Sequence, residues 1–254
     1  MRTLRGDAAQ NWRFSGTTRD SDKRLMMEQF GIKSFLFDQT QPLSDPQLIL
    51  RDVTHLLIST PPDDDGDPVF SFHVDDIVKL PNLQWVGYLS STSVYGDRNG
   101  DWVDETSELR PTSKRGTRRV KAESQWLSLH KKHNLPVHIF RLAGIYGAGR
   151  SAIDTIRAGI AQMIDKPGHV FNRIHIDDIV QILQASMDKP QAGRVYNLCD
   201  DLATPGHEIL TYACNLLGIK PPPLIPFEES GIPPIARSFY KDNKRVKNDR
   251  IKSD

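Results

Sequence analysis

The sequence predicts an α/β protein built on a parallel sheet, and three observations carry that prediction. Short apolar runs alternate with longer amphipathic ones, as βαβ units require. No internal repeat or low-complexity tract breaks the alternation, which excludes a solenoid. The 254 residues, with 38% hydrophobic and 26% charged side chains, suffice to bury roughly three quarters of the unfolded chain's surface without metal or disulfide.

The elements follow in order. Trp12–Ser15 is a short strand candidate ended by a Gly-Thr-Thr turn. Asp20–Phe30 carries Leu25, Met26, Met27 and Phe30 at helical spacing. Ser34–Phe37 predicts the next strand. Val53–Ser59 (VTHLLIS) predicts a buried strand stopped by Pro61-Pro62, and Gln84–Leu89 (QWVGYL) another stopped by Ser90-Ser91. Ser113–Lys131 predicts a long polar helix, Val137–Leu142 (VHIFRL) a strand, Asp177–Met187 a helix and Val195–Leu198 a strand. Thr204–Leu217 predicts a helix with Pro205 near its first turn, where proline is tolerated, and Gly218 as its C-cap.

Charge and composition narrow the function. Lys and Arg total 33 against 32 Asp and Glu, a net charge of +1, which excludes a chain-wide polyanion-binding surface. Residues 237–252 carry seven Lys or Arg against two Asp. No nucleic-acid-binding motif accompanies them, so a solvated face is expected and no nucleic-acid partner. No apolar run approaches the ~20 residues of a membrane helix, so no membrane partner is expected. Cys199 and Cys214 are too few for a disulfide framework. With no apolar secretory signal at the start, they read as reduced thiols of a cytoplasmic protein. His130 and His133 lie three apart with no third ligand nearby in sequence, so no metal is expected.

In parallel sheets ligands bind beyond the carboxyl ends of the strands, so the residues after each strand are the informative ones. Thr17, Thr18 and Arg19 follow the first strand; a basic residue there suits a nucleotide 2′-phosphate. The bland alternative is a turn with a solvated Arg19 and with Asp20 as a helix N-cap. Asp38 and Gln39, after the second strand, are placed to face an adenine amino group or to form a turn. Thr60 and Pro61 follow the third. The acidic run Asp63-Asp64-Asp65 reads as a solvated loop. Ser90-Ser91-Thr92-Ser93 gathers hydroxyls at a buried strand's end, costly unless they are paired or exposed at a site.

SSTSVYGD at 90–97, RLAGIYGAGR at 141–150 and RIHIDDIV at 173–180 resemble the extended and atypical short-chain dehydrogenase/reductases, which include the NAD-dependent epimerase/dehydratases. GTTR at 16–19, FLFDQT at 35–40, VYNLCDD at 195–201 and NKRVKN at 243–248 extend the resemblance from about Phe14 to the end. It implies a Rossmann-like doubly wound parallel sheet over 1–144 and about 170–200, with a small substrate-binding part over about 145–169 and 201–254. It also implies catalysis through Ser91, which would orient a substrate carbonyl or hydroxyl. Thr17, Thr18 and Arg19 become adenosine-phosphate contacts, Asp38 and Gln39 lie at the adenine, and Thr60 and Pro61 run along the dinucleotide. Leu142, Ala143 and Gly144 fall near the nicotinamide. His175, Asp177 and Asp178 match a position that mostly braces the two parts. NADP rather than NAD is the expected cofactor and a small molecule the substrate. A homodimer is the implied oligomer, although Lys114, Arg115, Arg118 and Arg119 crowd the helix that would form its interface.

Two departures stand against the resemblance. In the ungapped match of Pro111–Glu123, Arg115 occupies the position of the catalytic tyrosine and Arg119 that of the lysine. Arginine stays protonated and cannot exchange a proton, so the usual tyrosinate mechanism is absent. Arg119 would replace only the lysine's hydrogen bonds to the ribose, and Tyr95 or Tyr146 are the candidate substitutes for the tyrosine. Second, no strand and no Gly-x-Gly-x-x-Gly loop precede Trp12, where backbone amides would hold a pyrophosphate. An N-terminally truncated fold with weak or absent NADPH binding is therefore expected. The functions expected are an NAD(P)-binding oxidoreductase or epimerase for a small carbonyl or sugar-like substrate or, alternatively, a non-catalytic dinucleotide- or metabolite-binding protein or decayed paralogue.

Overall fold

The computed structural model describes residues 12–254. β1 (Ser15–Thr18), α1 (Ser21–Gln29), β2 (Lys33–Leu36), α2 (Pro46–Leu50), β3 (His55–Ile58), α3 (Pro68–Val78) and β4 (Trp85–Ser91) come first. A 3-10 turn at Thr92–Tyr95 leads to β5 (Trp102–Val103), α4 (Lys114–His133) and β6 (Val137–Leu142). The chain continues through β7 (Gly144–Tyr146), α5 (Ala152–Arg157), β8 (Met163–Asp165), β9 (Arg173–His175), α6 (Ile176–Asp188) and β10 (Val195–Leu198). It ends with α7 (Gly206–Leu217), β11 (Leu224–Pro226), α8 (Pro234–Ser238), β12 (Arg245–Val246) and α9 (Asp249–Ser253).

A four-stranded sheet in the order β10-β6-β4-β3 forms the scaffold. β3 pairs parallel with β4 and β6 parallel with β10. All six residues of β6, VHIFRL, are buried, as expected of a parallel strand covered on both faces. This is the Rossmann-like α/β architecture that the sequence predicts. β1 and β2 pair in parallel as a separate two-stranded sheet, and among the described residues no ladder joins them to β3. The expected absence of a segment before Trp12 falls on residues 1–11, outside the described residues.

Most boundaries shift by one or more residues from the sequence expectation, and three of the shifts have a plain cause. The first strand is Ser15–Thr18 rather than Trp12–Ser15, because Gly16, Thr17 and Thr18 pair with Ser34, Phe35 and Leu36 instead of turning. Trp12 and Phe14 stay over a third exposed at 37% and 39%. β4 runs through Ser91, since the serines extend the strand rather than stop it. Pro205 caps α7 from outside instead of lying in its first turn. Two expected caps are present: Asp20 accepts from the Asp22 and Lys23 amides, and Gly218 closes α7 at φ +66°, a left-handed backbone that glycine adopts at low cost.

The chain divides into two compact units whose boundaries fall inside β4, α4, β6 and α6 and just before β10. One holds the residues through Tyr88, Lys121–His138 and Gln184–Arg194; the other holds Leu89–Val120, Ile139–Leu183 and Val195–Asp254. In the first, Trp126 meets Phe70 edge-on at 5.7 Å. Trp85 stacks on His138 at 5.8 Å and donates to Ser186 Oγ at 3.0 Å. In the second, Phe140 stacks on Tyr196 at 5.9 Å.

Candidate active site

At the carboxyl ends of β1 and β2, in the first unit, the polar side chains bond mainly to nearby backbone amides. Thr18 Oγ1 accepts from the Asp20 amide at 3.2 Å. Asp38 Oδ1 accepts from the Thr40 amide at 2.7 Å, the Thr40 hydroxyl at 2.8 Å and the Gln41 amide at 3.0 Å. These bonds hold the Asp38 carboxyl below its ordinary pKa, and the charge of Arg19 adds to the effect. Arg19, Thr17, Gln39 and Pro61 are exposed and Thr60 is half-buried. The structure thus brings Arg19 to Asp38. The acidic run is a loop: Asp63 Oδ1 accepts from the Asp65 and Gly66 amides at 2.8 and 3.1 Å.

The second unit carries the rest. Ser91 ends β4 half-buried, and its Oγ accepts from the Ser93 amide at 3.2 Å. Because the oxygen serves as acceptor, its own proton can turn toward a ligand. The first turns of α4 lie against this segment. A Cβ on Gly116 would come within 2.7 Å of the Ser93 carbonyl, so the position requires glycine. Arg119 Nη1 donates to the Leu89 carbonyl, which directs part of the guanidinium to the protein backbone instead of a ribose. Arg115 Nη2 donates to Ser238 Oγ at 3.1 Å, and its guanidinium lies 4.9 Å from the Phe239 ring centre.

Leu142 and Ala143 are buried where β6 ends, and Gly144 is exposed. The Ala143 amide bonds Leu198 O at 3.0 Å and the Gly144 amide bonds Asn172 O at 3.0 Å. The two tyrosines have different surroundings. Tyr95 is fully buried. It donates to Asn197 Oδ1 at 2.7 Å and accepts from Arg141 Nη1 at 2.9 Å. Burial raises its pKa against the lowering effect of Arg141. The Asn197 amide donates in turn to Glu105 Oε1 at 2.8 Å. Tyr95 is therefore a structural strut. Tyr146 is 37% exposed, packs edge-on against His175 at 5.1 Å, and has its pKa raised by burial and by Asp200 and Asp178. His175 Nδ1 accepts from the Asp177 amide at 3.2 Å.

The buried network of Tyr95, Arg141, Asn197 and Glu105 went unread in the sequence. Its signal is weak but present: Arg141 stands inside the mainly apolar VHIFRL, and a charge buried there has to be paired.

Residues 76–199 match the family model of the NAD dependent epimerase/dehydratase family. The match covers just under half of the chain, and over that segment the chain resembles the family. It is also similar to Protein YeeZ of Escherichia coli K12, with 29% identity over 227 residues, 85% of this chain and 79% of that protein. Among solved structures, a functionally unknown conserved protein from Silicibacter pomeroyi shares 48% identity over 97% of this chain and 85% of that one, at a TM-score of 0.88. A dTDP-glucose 4,6-dehydratase from Bacillus anthracis in complex with NAD matches 96% of this chain and 82% of that one at a TM-score of 0.75. Its 15% identity is a likeness of fold.

For a nicotinamide dinucleotide, the described residues fit the adenosine end alone, through the exposed Arg19. No Gly-x-Gly-x-x-Gly occurs anywhere in the sequence to hold the pyrophosphate. No chemical step is therefore derived through the dinucleotide. No described helix is long and apolar enough to cross a membrane.

Proposed function

We propose that the chain acts on a small carbonyl or sugar-like substrate as an oxidoreductase or epimerase, with Ser91 holding the substrate oxygen. The observation carrying this reading is Ser91 itself: half-buried at a carboxyl strand end, its oxygen accepting from Ser93 and its proton unspent. A hydroxyl so placed donates to a carbonyl oxygen and strengthens that bond as negative charge develops. Tyr146, the more exposed of the two tyrosines weighed, is the hydroxyl that serves as proton carrier. NADP is the dinucleotide form proposed, on the exposure of Arg19 at the end of β1.

A second reading, a non-catalytic binder, is favoured by Arg115 and Arg119. Their guanidiniums stay charged and are directed to Ser238 and to the Leu89 carbonyl.

The test is NADPH consumption across a panel of carbonyl and sugar substrates, wild type against Ser91→Ala. Turnover is expected to fall by about a hundredfold, the scale of one lost transition-state hydrogen bond. Unchanged turnover removes Ser91 from the mechanism, and saturable NADPH binding with no turnover on any substrate decides for the binder.

A further inference from the structure

Residues 89–93 are gripped at two points by α4. Arg119 holds the Leu89 carbonyl, and Gly116 sits on the Ser93 carbonyl. Ser91 lies between these contacts. Arg115, next to Gly116, is exposed. It spends one of five N–H donors on the neutral hydroxyl of Ser238, and its guanidinium carbon lies over the Phe239 ring at 4.9 Å from the centre. Among the described residues no carboxylate pairs with it, and its neighbours along α4 include Lys114, Arg118 and Arg119.

A guanidinium resting over an aromatic ring is held in place while its remaining N–H donors stay available to a second partner. Its fork of donors matches the paired oxygens of a carboxylate or phosphate, a bidentate and doubly charged pairing that is stronger than a single bond to a neutral hydroxyl. We infer that Arg115 is a specificity-determining residue that takes an oxyanion, a carboxylate or phosphate group carried by the substrate whose other oxygen meets Ser91. Ser238 is a placeholder that the anion displaces. The inference rests on Ser91 as the substrate-facing hydroxyl, but its test reads binding and not turnover.

Inorganic phosphate and glucuronate are titrated against the whole chain, with glucose as the neutral twin and chloride matching the ionic strength. The melting temperature and protection of Arg115 from phenylglyoxal are followed. Saturable stabilisation and protection by phosphate or by glucuronate, and not by glucose or chloride, are expected. The stronger arm identifies the group as phosphate or carboxylate. Arg115→Gln should weaken binding by about tenfold or more, Arg115→Lys by less, and Ser238→Ala should tighten it by freeing the guanidinium.

Identical responses to anion and chloride, or undiminished binding in Arg115→Gln, overturn the inference. If Arg115→Gln fails to fold, Ser238→Ala decides, and weaker binding there counts against the inference. Anion binding that depends on Arg115 alongside unchanged turnover in Ser91→Ala preserves Arg115 and removes Ser91. The converse outcome removes Arg115 alone.

Discussion

Trp85 and Trp126 are fully buried, whereas α1, in the same unit, buries no residue and leaves Leu25, Met26 and Phe30 at 53%, 57% and 69% exposure. β1 alternates exposed and half-buried, while β6 is buried at every position. The elements around the four-stranded sheet are thus held by packing. The β1–α1–β2 segment is held mainly by its own ladder, by the Asp20 cap and by the Ser34 hydroxyl on the Arg24 carbonyl at 3.1 Å. Local contacts of that kind give low local stability. The difference teaches that the parts carrying Ser91 and Arg19 rest on unequal foundations.

The largest expected effect is at the packed end. Trp126→Ala should lower unfolding stability by about 3–5 kcal/mol, the cost of emptying a large buried aromatic site, as read by denaturant melts. A loss below about 1 kcal/mol would show that the packed region has no advantage over α1.

Second in size is His169, which is buried; the Asp242 backbone beside it offsets only part of the cost of charging it. Burial, with the nearby Lys166 charge, lowers its pKa from 6.5 to about 4. The folded protein therefore keeps this imidazole neutral while the unfolded chain takes up a proton. Stability is complete above about pH 6.5 and falls as the pH drops toward 4, by roughly 3 kcal/mol from this group. His169→Phe, placed beside Phe171 and Tyr240, should flatten that interval. An unchanged pH profile would show that burial of His169 is not what drives it.

The smallest effect is at the exposed end. Leu25→Ala should change stability by no more than about 0.5 kcal/mol, and β1 and β2 amides should exchange with solvent well before those of β6. Equal protection would erase the contrast between the two regions.

How much was legible follows the same division. Val137–Leu142 and Val195–Leu198 match the structure to the residue, because their mainly apolar runs are sharply bounded. β1 was displaced, since in a weakly buried strand the apolar Trp12 and Phe14 do not mark the paired residues. α3 has no clean apolar period to announce it, although Asp67 caps it and Pro68 opens it, and the acidic run just before it carries only a loop signal. In the site, Ser91 was legible as a hydroxyl at a strand end. The direction of the Arg115 and Arg119 side chains was not, because Ser238 lies 123 residues away in the chain and no local pattern reports such a contact.

One detail has a practical bearing on labelling chemistry. The chain has two cysteines, both buried and free. Cys199, donating to the Val246 carbonyl at 3.2 Å, has its thiol pushed up to about 12 by burial. Alkylation needs the thiolate, so at neutral pH the folded protein offers alkylating reagents almost no reactive sulfur. A cysteine introduced on the exposed face of α8 would carry a fluorophore or spin label with little background, and would report directly on whether the segment bearing Ser238 moves when an anion reaches Arg115.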